Sequence, residues 1–381
     1  MHSNASSVKP AQPLLAESCG AFADLGTFLP LVLGLIALNQ FNAPGIFLGF
    51  GLFALLSAAV YGRPVATQPM KVIAALVISL ELTPGMMQAS AMMMGMILLL
   101  LAFSGAIGWL AKQLSQAVSV GIQLAIGLQL LWLGFGMMNE TLWLGLTAFA
   151  LLFASRWLPM TYLMMPGVLA LGMVWQHFAG TGSTINAAGS LMDLQFGWPS
   201  NDEWLSAAGL LVLPQLALTL TNAVIAASVI GKETFPEDAN KFSPKRFATT
   251  SGLANLLLSP FGGIAMCHGA GGMTVQTHFG ARTWRAPVIF GSSCLAIALF
   301  WGSDVSYWLG MIPMAVLGSL LATAGLQLAW SKRLVDGKPY CIFVILATAV
   351  TCLAINAAAG LAVGILLEHG RRLGRQVPAS K

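Results

Sequence analysis

The stretch "FGGIAMCHGAGG", from Phe261 to Gly272, places Cys267 and His268 among five glycines in an otherwise apolar region. Glycine destabilises a helix interior by roughly 0.5 to 1 kcal/mol, so this composition indicates a break in the helix. A break exposes backbone N–H groups, and N–H groups at a helix start bind anions. The alternative is an intramembrane enzyme that uses His268 as base and Cys267 as nucleophile, but no third group to orient the histidine is evident.

A second broken segment, "YGRPVATQPMK", runs from Tyr61 to Lys71 and contains Pro64 and Pro69. Proline lacks a backbone N–H and restricts the preceding residue to extended conformations, which excludes a continuous helix. We therefore expect residues 62 to 67 to be extended and a helix to begin at Pro69, near the middle of the membrane.

Lys71 would then lie in the first turn of that helix. A cation at this place opposes the helix dipole, so its position indicates a negative charge bound nearby. An ionisable residue inside a membrane segment is a functional candidate by default. Two alternatives remain: Lys71 forms an ion pair with Asp24, or its side chain reaches an aqueous vestibule.

The two broken segments align at an offset of 200 residues, counted from Tyr61 to Phe261. The register matches Gln68 with His268, Thr67 with Cys267, and Pro69 with Gly269. Only the aromatic residue and the following glycine are chemically similar. Because each segment is the third of seven, the alignment predicts an inverted repeat whose two helix N-termini form one anion site.

Polar residues also interrupt two other apolar segments, "ESCGAFADLGTFLP" and "LPQLALTLTNAV". Asp24 and Thr27 are three residues apart and share a helix face, as do Gln215, Thr219 and Asn222 at spacings of four and three. A polar stripe in lipid faces a cavity or another helix. Contact between helices is the alternative for Thr219 and Asn222.

The elements that carry these residues are membrane helices. The chain has 381 residues, of which 8% are charged, and its mean hydropathy of +0.80 excludes an ordinary soluble domain. Long apolar runs also exclude the alternating pattern of a β-barrel. The first thirteen residues have one lysine and no apolar core, so no cleavable signal is expected before the first span. The five cysteines contain no C-x-x-C pair and are interpreted as packing residues.

The sequence predicts an all-α membrane protein with about 14 transmembrane segments in two inverted repeats of seven, the third and tenth of them broken. The predicted spans are residues 14 to 38, 44 to 61, 68 to 82, 86 to 111, 116 to 138, 140 to 155 and 160 to 179 in the first half, and 205 to 230, 247 to 260, 268 to 281, 285 to 302, 307 to 330, 340 to 354 and 357 to 369 in the second. The last two could be one long helix, but the charge pattern favours two.

The basic residues predict orientation rather than nucleic-acid binding, although the pI is about 9.1. With both termini inside, seventeen of the eighteen Lys and Arg fall on the cytoplasmic side, and Lys71 is the exception. The longest outer loop, residues 180 to 204, has no Lys or Arg. We therefore expect a multi-pass protein of the cell membrane with cytoplasmic termini, in contact with the lipid bilayer and with no nucleic acid.

Four segments in order, "GAFADLGTFLPLVLGL", "QPMKVIAAL", "LPQLALTLTNAVIA" and "PFGGIAMCHGAGG", resemble the signature segments of the molybdate transporter family, distant relatives of the sulfate permeases. The resemblance covers nearly the whole chain. It implies the seven-plus-seven fold shared with uracil permeases, with substrate between the starts of the third and tenth half-helices. It also implies a core domain from residues 14–111 and 205–302, and a gate domain from residues 112–179 and 303–370.

Two departures bear on the substrate. The run "RPVATQPM" stands where "MPVQPM"-like runs are usual, so Arg63, Ala66 and Thr67 leave the anion preference open. About a dozen residues follow the last span, whereas sulfate permeases typically continue into a cytoplasmic domain, which favours the molybdate branch. Nucleobase permeases are expected to place carboxylates on the eighth and tenth spans, and these are absent from the sequence here.

The expected function is a secondary transporter of a tetrahedral oxyanion, molybdate first and tungstate with it. Sulfate or a bicarbonate-type anion is the alternative. Neither an enzymatic activity nor a cofactor is expected, and the sequence has no ATP-binding G-x-x-x-x-G-K-[ST] motif. A purely structural or receptor-like protein would not need a buried Lys71, and a homodimer is left open. The candidate substrate-binding residues are Thr27, Thr67, Gln68, Pro69, Lys71, Gln215, Thr219, Asn222, Cys267, His268, Gly269 and Ala270, with Asp24 as coupling residue or charge partner.

Overall fold

The computed structural model describes residues 14–113, 115–157, 161–179, 196–300, 308–330, 334 and 339–376. The predicted outer loop is therefore described only from residue 196, and residues 301 to 307 at the end of the eleventh predicted span lie outside the described part. In the first half, the helices are α1 (Leu14–Phe22), α2 (Leu25–Asn39), α3 (Ala43–Tyr61), α4 (Lys71–Ser79), α5 (Pro84–Ser104), α6 (Ile107–Gln113), α7 (Gln116–Met138), α8 (Leu142–Ala154) and α9 (Thr161–Ala179). The short strand β1 (Thr67–Pro69) precedes α4.

The second half repeats this order of long helices, a short strand and a short helix. Its elements are α10 (Asn201–Thr234), α11 (Pro244–Leu258), strand β2 (Met266–His268), α12 (Ala270–His278), α13 (Arg285–Leu299), α14 (Met314–Ala329), α15 (Pro339–Ala354) and α16 (Ala357–Gln376). Two stretches of α10, Ala208–Val212 and Thr219–Ala226, have the wider π-helical turn.

The helices are those of a multi-pass membrane protein. Four described helical stretches are long and apolar enough to cross a membrane: α3, α5, α10, and the stretch Gln116–Ala154 that contains α7 and α8. The pair α1 and α2, bent by 46°, would make a fifth. Shorter apolar helices account for further predicted spans, among them α13, α14 and α15. The mainly helical membrane fold is confirmed, while the number of fourteen segments stays a prediction.

The structure corrects one predicted boundary. The helix after the first break begins at Lys71, two residues beyond the expected start at Pro69. Pro69 is instead the last residue of β1, opposite Met266 of β2. Extended pairing suits this segment because proline has no N–H to give to a helix. The last two predicted spans are two helices, because Asn356 accepts a hydrogen bond from the N–H of Ala359 and so caps the start of α16.

The offset between the two halves changes within the broken segments. Gly62 and Gly262 both end the preceding helical turn with positive φ, and they are 200 residues apart, as the sequence predicts. Lys71 and Ala270 begin the following helices and are 199 apart. The second segment is therefore one residue shorter, so that Gln68 has Cys267 as its counterpart rather than His268.

Glycines set the closest helix contacts. The helix α7 packs along α14, where Gly127 meets Gly325 and Gly134 meets Gly318. A Cβ added to Gly134 would lie 2.5 Å from the carbonyl oxygen of Gly318. Similar contacts join α3 to α13 and α5 to α11. Without a hydrophobic driving force in lipid, such close backbone approach is a main source of helix association.

Arg63 lies in an ion-pair network at the loop between α10 and α11. Its guanidinium donates to Asp238 at 2.7 Å, to Glu237 at 3.0 Å and to the carbonyl of Arg282 at 3.1 Å. Lys241 contacts Asp238 at 2.9 Å, and the hydrogen bond from Lys241 followed by that from Arg63 lowers the pKa of Asp238. The side chain of Arg63 thus connects its own loop with the loop that contains Glu237 and Asp238 and with the loop at Arg282. Its donors are engaged in these contacts and are not available to a substrate anion.

Candidate functional site

The two short strands bring the broken segments together. β1 and β2 are antiparallel, with Thr67 opposite His268, Gln68 opposite Cys267 and Pro69 opposite Met266. The N–H of Met70 donates to Ala265 at 2.8 Å, and the N–H of Gly269 donates to Ala66 at 3.2 Å. Because the strands are antiparallel, α4 and α12 leave this small sheet in opposite directions, with their N-terminal ends at its two sides.

Gln215 occupies the N-terminal end of α4. Its Oε1 accepts from the N–H of Val72 at 2.9 Å and of Ile73 at 3.3 Å, and its Nε2 donates to Thr219 Oγ1 at 2.8 Å. Both Gln215 and Thr219 are buried. Gln215 therefore satisfies two N–H groups at the start of α4, and Thr219 accepts a hydrogen bond from its amide. The sequence predicted both residues as substrate-binding.

The N-terminal end of α12 faces Asp24 and Gln68. A Cβ added to Gly269 would overlap the Gln68 amide, and one added to Gly272 would overlap the Asp24 carboxylate. Gln68 Nε2 donates a hydrogen bond to Asp24. Gly269 and Gly272 are needed because the two side chains lie directly on the backbone of this turn. A carboxylate in this position is favoured by the helix dipole.

His268 lies in an aromatic core. Its Nε2 is 2.8 Å from Thr250 Oγ1 and its Nδ1 is 3.3 Å from the carbonyl oxygen of Ala66. The ring centroid lies 4.7 Å from that of Phe53 and 5.2 Å from that of Phe247. Since a carbonyl oxygen only accepts, Nδ1 carries the proton and Nε2 accepts from the threonine. Both ring nitrogens are thus used within the protein, and the side chain is fully buried.

The remaining candidate residues on and beside the strands are buried and differ in their hydrogen bonding. Cys267 and Thr67 are buried, and Thr67 Oγ1 has no hydrogen-bond partner among the described residues. Pro69 and Ala270 are buried backbone positions beside the helix starts. Of the side chains on the two strands, the Thr67 hydroxyl is therefore the buried one left unpartnered.

Lys71 lines a small polar cavity, which we call the central cavity. It has a volume of about 80 Å³, and its polar lining consists of Thr27, Lys71, Gln123 and Gln327. Lys71 is half-buried and makes no direct ion pair within the described residues, although its charge interacts at longer range with the Asp24 carboxyl group. The volume is several times the roughly 10 to 15 Å³ that one water needs. A half-buried ammonium group without a direct ion pair in a polar cavity can bind an anion.

Two further cavities adjoin the central one. A cavity of about 260 Å³ shares Thr27 and Gln327 with it and also contacts Asp24. Another of about 240 Å³, which we call the side chamber, shares Gln123 and contains Asn222. Asn222 thus lines the side chamber, whereas Thr219, three residues before it on α10, is hydrogen-bonded to Gln215.

Sequence reasoning missed Gln123 and Gln327. Both lie in apolar helices, α7 and α14, that were expected to belong to the gate domain and not to the binding site. The spacing of Gln116, Ser119 and Gln123, at three and four residues, is the same signal of a polar helix face that drew attention to Asp24 and Thr27. Applied to every apolar segment, this signal could have found them.

Comparisons with known proteins find related sequences and related folds. The family model described as "Molybdate transporter of MFS superfamily" matches residues 16–130 and 207–328. Molybdate transporter 2 of Arabidopsis thaliana is 29% identical over 416 residues, which cover 93% of this chain and 87% of the relative. The description of the family refers to the MFS superfamily. The solved structures with a similar fold are a bicarbonate transporter and a Solute Carrier 26 anion transporter.

The transmembrane domain of a cyanobacterium bicarbonate transporter, BicA, superposes with a TM-score of 0.68 and 17% identity, covering 91% of this chain and 97% of that one. The murine Solute Carrier 26 family member A9 anion transporter, in the inward-facing state, gives 0.70 and 15% identity, covering 100% of this chain and 76% of that one. These identities are low, so the two structures inform the fold alone. The family follows from the matched residues and the four sequence motifs: the chain belongs to the molybdate transporter family.

Proposed function

We propose that this protein is a secondary transporter that carries molybdate across the cell membrane by alternating access. The observation that carries the proposal is the half-buried ammonium of Lys71 in the central cavity, which has no direct ion pair among the described residues. Membership of the molybdate transporter family and an anion-transporter fold support it. The chemistry of the site is binding rather than catalysis, because the only histidine of the broken segments has both nitrogens engaged.

The proposed oxyanion site combines one charge with several neutral donors. Lys71 supplies the charge, and Thr27, Gln123 and Gln327 supply side-chain hydrogen bonds. In this proposal Thr67 and Gln68 of β1 and the N-terminal end of α12 are further donors at the edge of the site. Asp24, held by Gln68, is the proposed charge partner or coupling residue. His268, Gln215 and Thr219 act in this proposal as supports of the two helix starts.

The proposed transport movement divides the chain into two domains. The core domain comprises residues 14–111 and 205–302, and the gate domain comprises residues 112–179 and 303–370, in fourteen segments with inverted halves. The pairings of α3 with α13 and of α5 with α11 support a core built by both halves, and the pairing of α7 with α14 supports such a gate. The central cavity lies between Lys71 of the core and Gln123 and Gln327 of the gate, so movement between them would expose it alternately.

The substrate assignment predicts a defined order of competitors. We expect tungstate to compete with labelled molybdate almost equally in proteoliposomes, sulfate to compete about ten- to hundred-fold less well, and uracil not to compete. Sulfate is the smaller tetrahedral anion and would leave a donor unpaired, at a cost of about 1 to 3 kcal/mol. Uracil has no compact shell of oxygens.

Two results would change this assignment. Competition by uracil at molybdate-like concentrations would exclude an oxyanion site. Equal competition by sulfate would keep the fold and mechanism and make sulfate, or a bicarbonate-type anion, the substrate.

Orientation can be tested with two matched asparagines. Asn201, at the start of α10, is expected outside, and Asn240, in the loop before α11, is expected inside. Both are exposed. In a cysteine-free background, an impermeant thiol reagent applied to intact cells should label Asn201→Cys and not Asn240→Cys. The reverse pattern would invert the whole topology. Ser200 and Ser243 are less suitable positions because their hydroxyls cap helices.

A further inference from the structure

The side chamber is a polar compartment whose lining shares only Gln123 with the proposed transport site. It has a volume of about 240 Å³ and lies between the first turns of α7 and the π-helical stretch of α10. Its polar lining is Gln116, Ser119, Gln123, Thr221 and Asn222. None of these side chains is charged. A π-helical stretch within an α-helix often occurs at a functional site.

One buried polar group of the chamber has no hydrogen-bond partner among the described residues. Ser119 is 4% exposed, and its Oγ has no hydrogen bond among the described residues. Because a buried hydroxyl without a partner costs about 1 to 3 kcal/mol, Ser119 is a donor that a ligand in the chamber could satisfy. Gln116 and Asn222 also lie on the chamber wall and bring amide N–H donors to it.

Gln123 connects the chamber to the transport site. Its side chain lines both the side chamber and the central cavity that contains Lys71. Gln116 is seven residues before it on α7, which corresponds to about 10 Å along the helix. With the proposed orientation, Gln116 is nearer the cytoplasm, so the chamber lies between Lys71 and the cytoplasmic side.

We propose that the side chamber is a second, weaker binding site for the same oxyanion, occupied on its way between Lys71 and the cytoplasm. This inference rests on the proposed function. Amide and hydroxyl donors suit the oxygens of a tetrahedral anion, and the absence of a cation in the lining keeps the affinity low. A weaker neighbouring site would favour release, because an anion leaves a strong cationic site more easily when it can move to a second, weaker one. The neighbouring Lys71 ammonium supplies the long-range attraction for anions over cations.

The test is the number of tungstate ions that the purified full-length protein binds at equilibrium. Two sites per chain are expected, the second about tenfold or more weaker than the first. Lys71→Met should remove the tight site and keep the weak one at a reduced affinity, because the long-range attraction of the ammonium is lost. Ser119→Ala, alone and with Asn222→Ala, should raise the Kd of the weak site about tenfold or more while changing that of the tight site less than about twofold.

Ser119→Ala also separates a ligand role from a structural one. Because the hydroxyl has no protein partner, its removal is expected to leave the melting temperature unchanged or raise it, so a folding defect should not obscure the result. Ser319→Ala is the matched control, since Ser319 is a buried serine on α14 whose hydroxyl donates to the carbonyl of Val316 and which is not among the residues lining either cavity. It should leave both sites intact.

The tungstate-binding experiment gives different results if the side-chamber site is wrong and if the transport function is wrong. One tungstate per chain in the unchanged protein, lost on Lys71→Met, would refute the side-chamber site and keep the transport site. Two sites that are both insensitive to Ser119→Ala and Asn222→Ala would also refute it. No binding of tungstate at all would overturn the proposed function and this inference with it.

Discussion

Replacing Lys71 by methionine is expected to lower molybdate uptake about a hundred-fold or more. The ammonium is the charged group in the polar lining of the central cavity, and a charge-assisted hydrogen bond to a desolvated anion contributes about 3 kcal/mol. The side chain makes no ion pair among the described residues, so the variant should fold. Initial uptake rates in proteoliposomes and the melting temperature should be measured on the same preparation.

The matched control for this experiment is Lys245→Met. Lys245 is exposed and lies over the ring of Phe103, away from the central cavity, so its loss should leave uptake nearly unchanged. Arginine at position 71 keeps the charge and should retain more transport than methionine does. A well-folded Lys71→Met variant with normal uptake would remove Lys71 from the binding site. A variant that loses mainly stability would instead indicate that Lys71 neutralises Asp24.

Gly134→Ala is expected to destabilise the gate domain strongly. The new Cβ would lie 2.5 Å from the carbonyl oxygen of Gly318 and 2.7 Å from the N–H nitrogen of Ala322. Both are backbone atoms of α14, so the helices must separate rather than rotate a side chain. Overpacking of this kind costs about 1 to 3 kcal/mol, which should appear as a clear fall in melting temperature. Uptake should fall as well, because Gln123 and Gln327 face each other across this pair of helices.

Gly136→Ala provides the control on the same helix. A Cβ at Gly136 would meet nothing within 4 Å, and alanine favours the helix by roughly 0.5 to 1 kcal/mol. Its melting temperature should be equal to or above that of the unchanged protein. Similar melting temperatures for the two variants would show that α7 and α14 do not pack as described.

The amino-acid sequence by itself determined the membrane class and the places where helices break. These properties follow from local chemistry: apolar runs require a helix in lipid, and Pro64, Pro69 and the glycines of the second segment prevent one. It also singled out Lys71, because a charge in an apolar segment is conspicuous without any partner. The four motifs carried the family in the same way, since each is a short contiguous run.

The tertiary structure decided which polar residues meet. Gln215 fills the start of α4 across 143 residues of sequence, and Thr250 engages His268 through packing of α11 on β2. Such partners depend on how helices cross, which spacing within one helix does not contain. For the same reason the sequence did not predict Gln123 and Gln327 as binding residues. Their amides are candidates because α7 and α14 pack beside Lys71 in the folded protein. A polar pattern within one helix predicts that a side chain does not face lipid. Which helix, cavity or side chain it contacts instead depends on how distant parts of the backbone pack together.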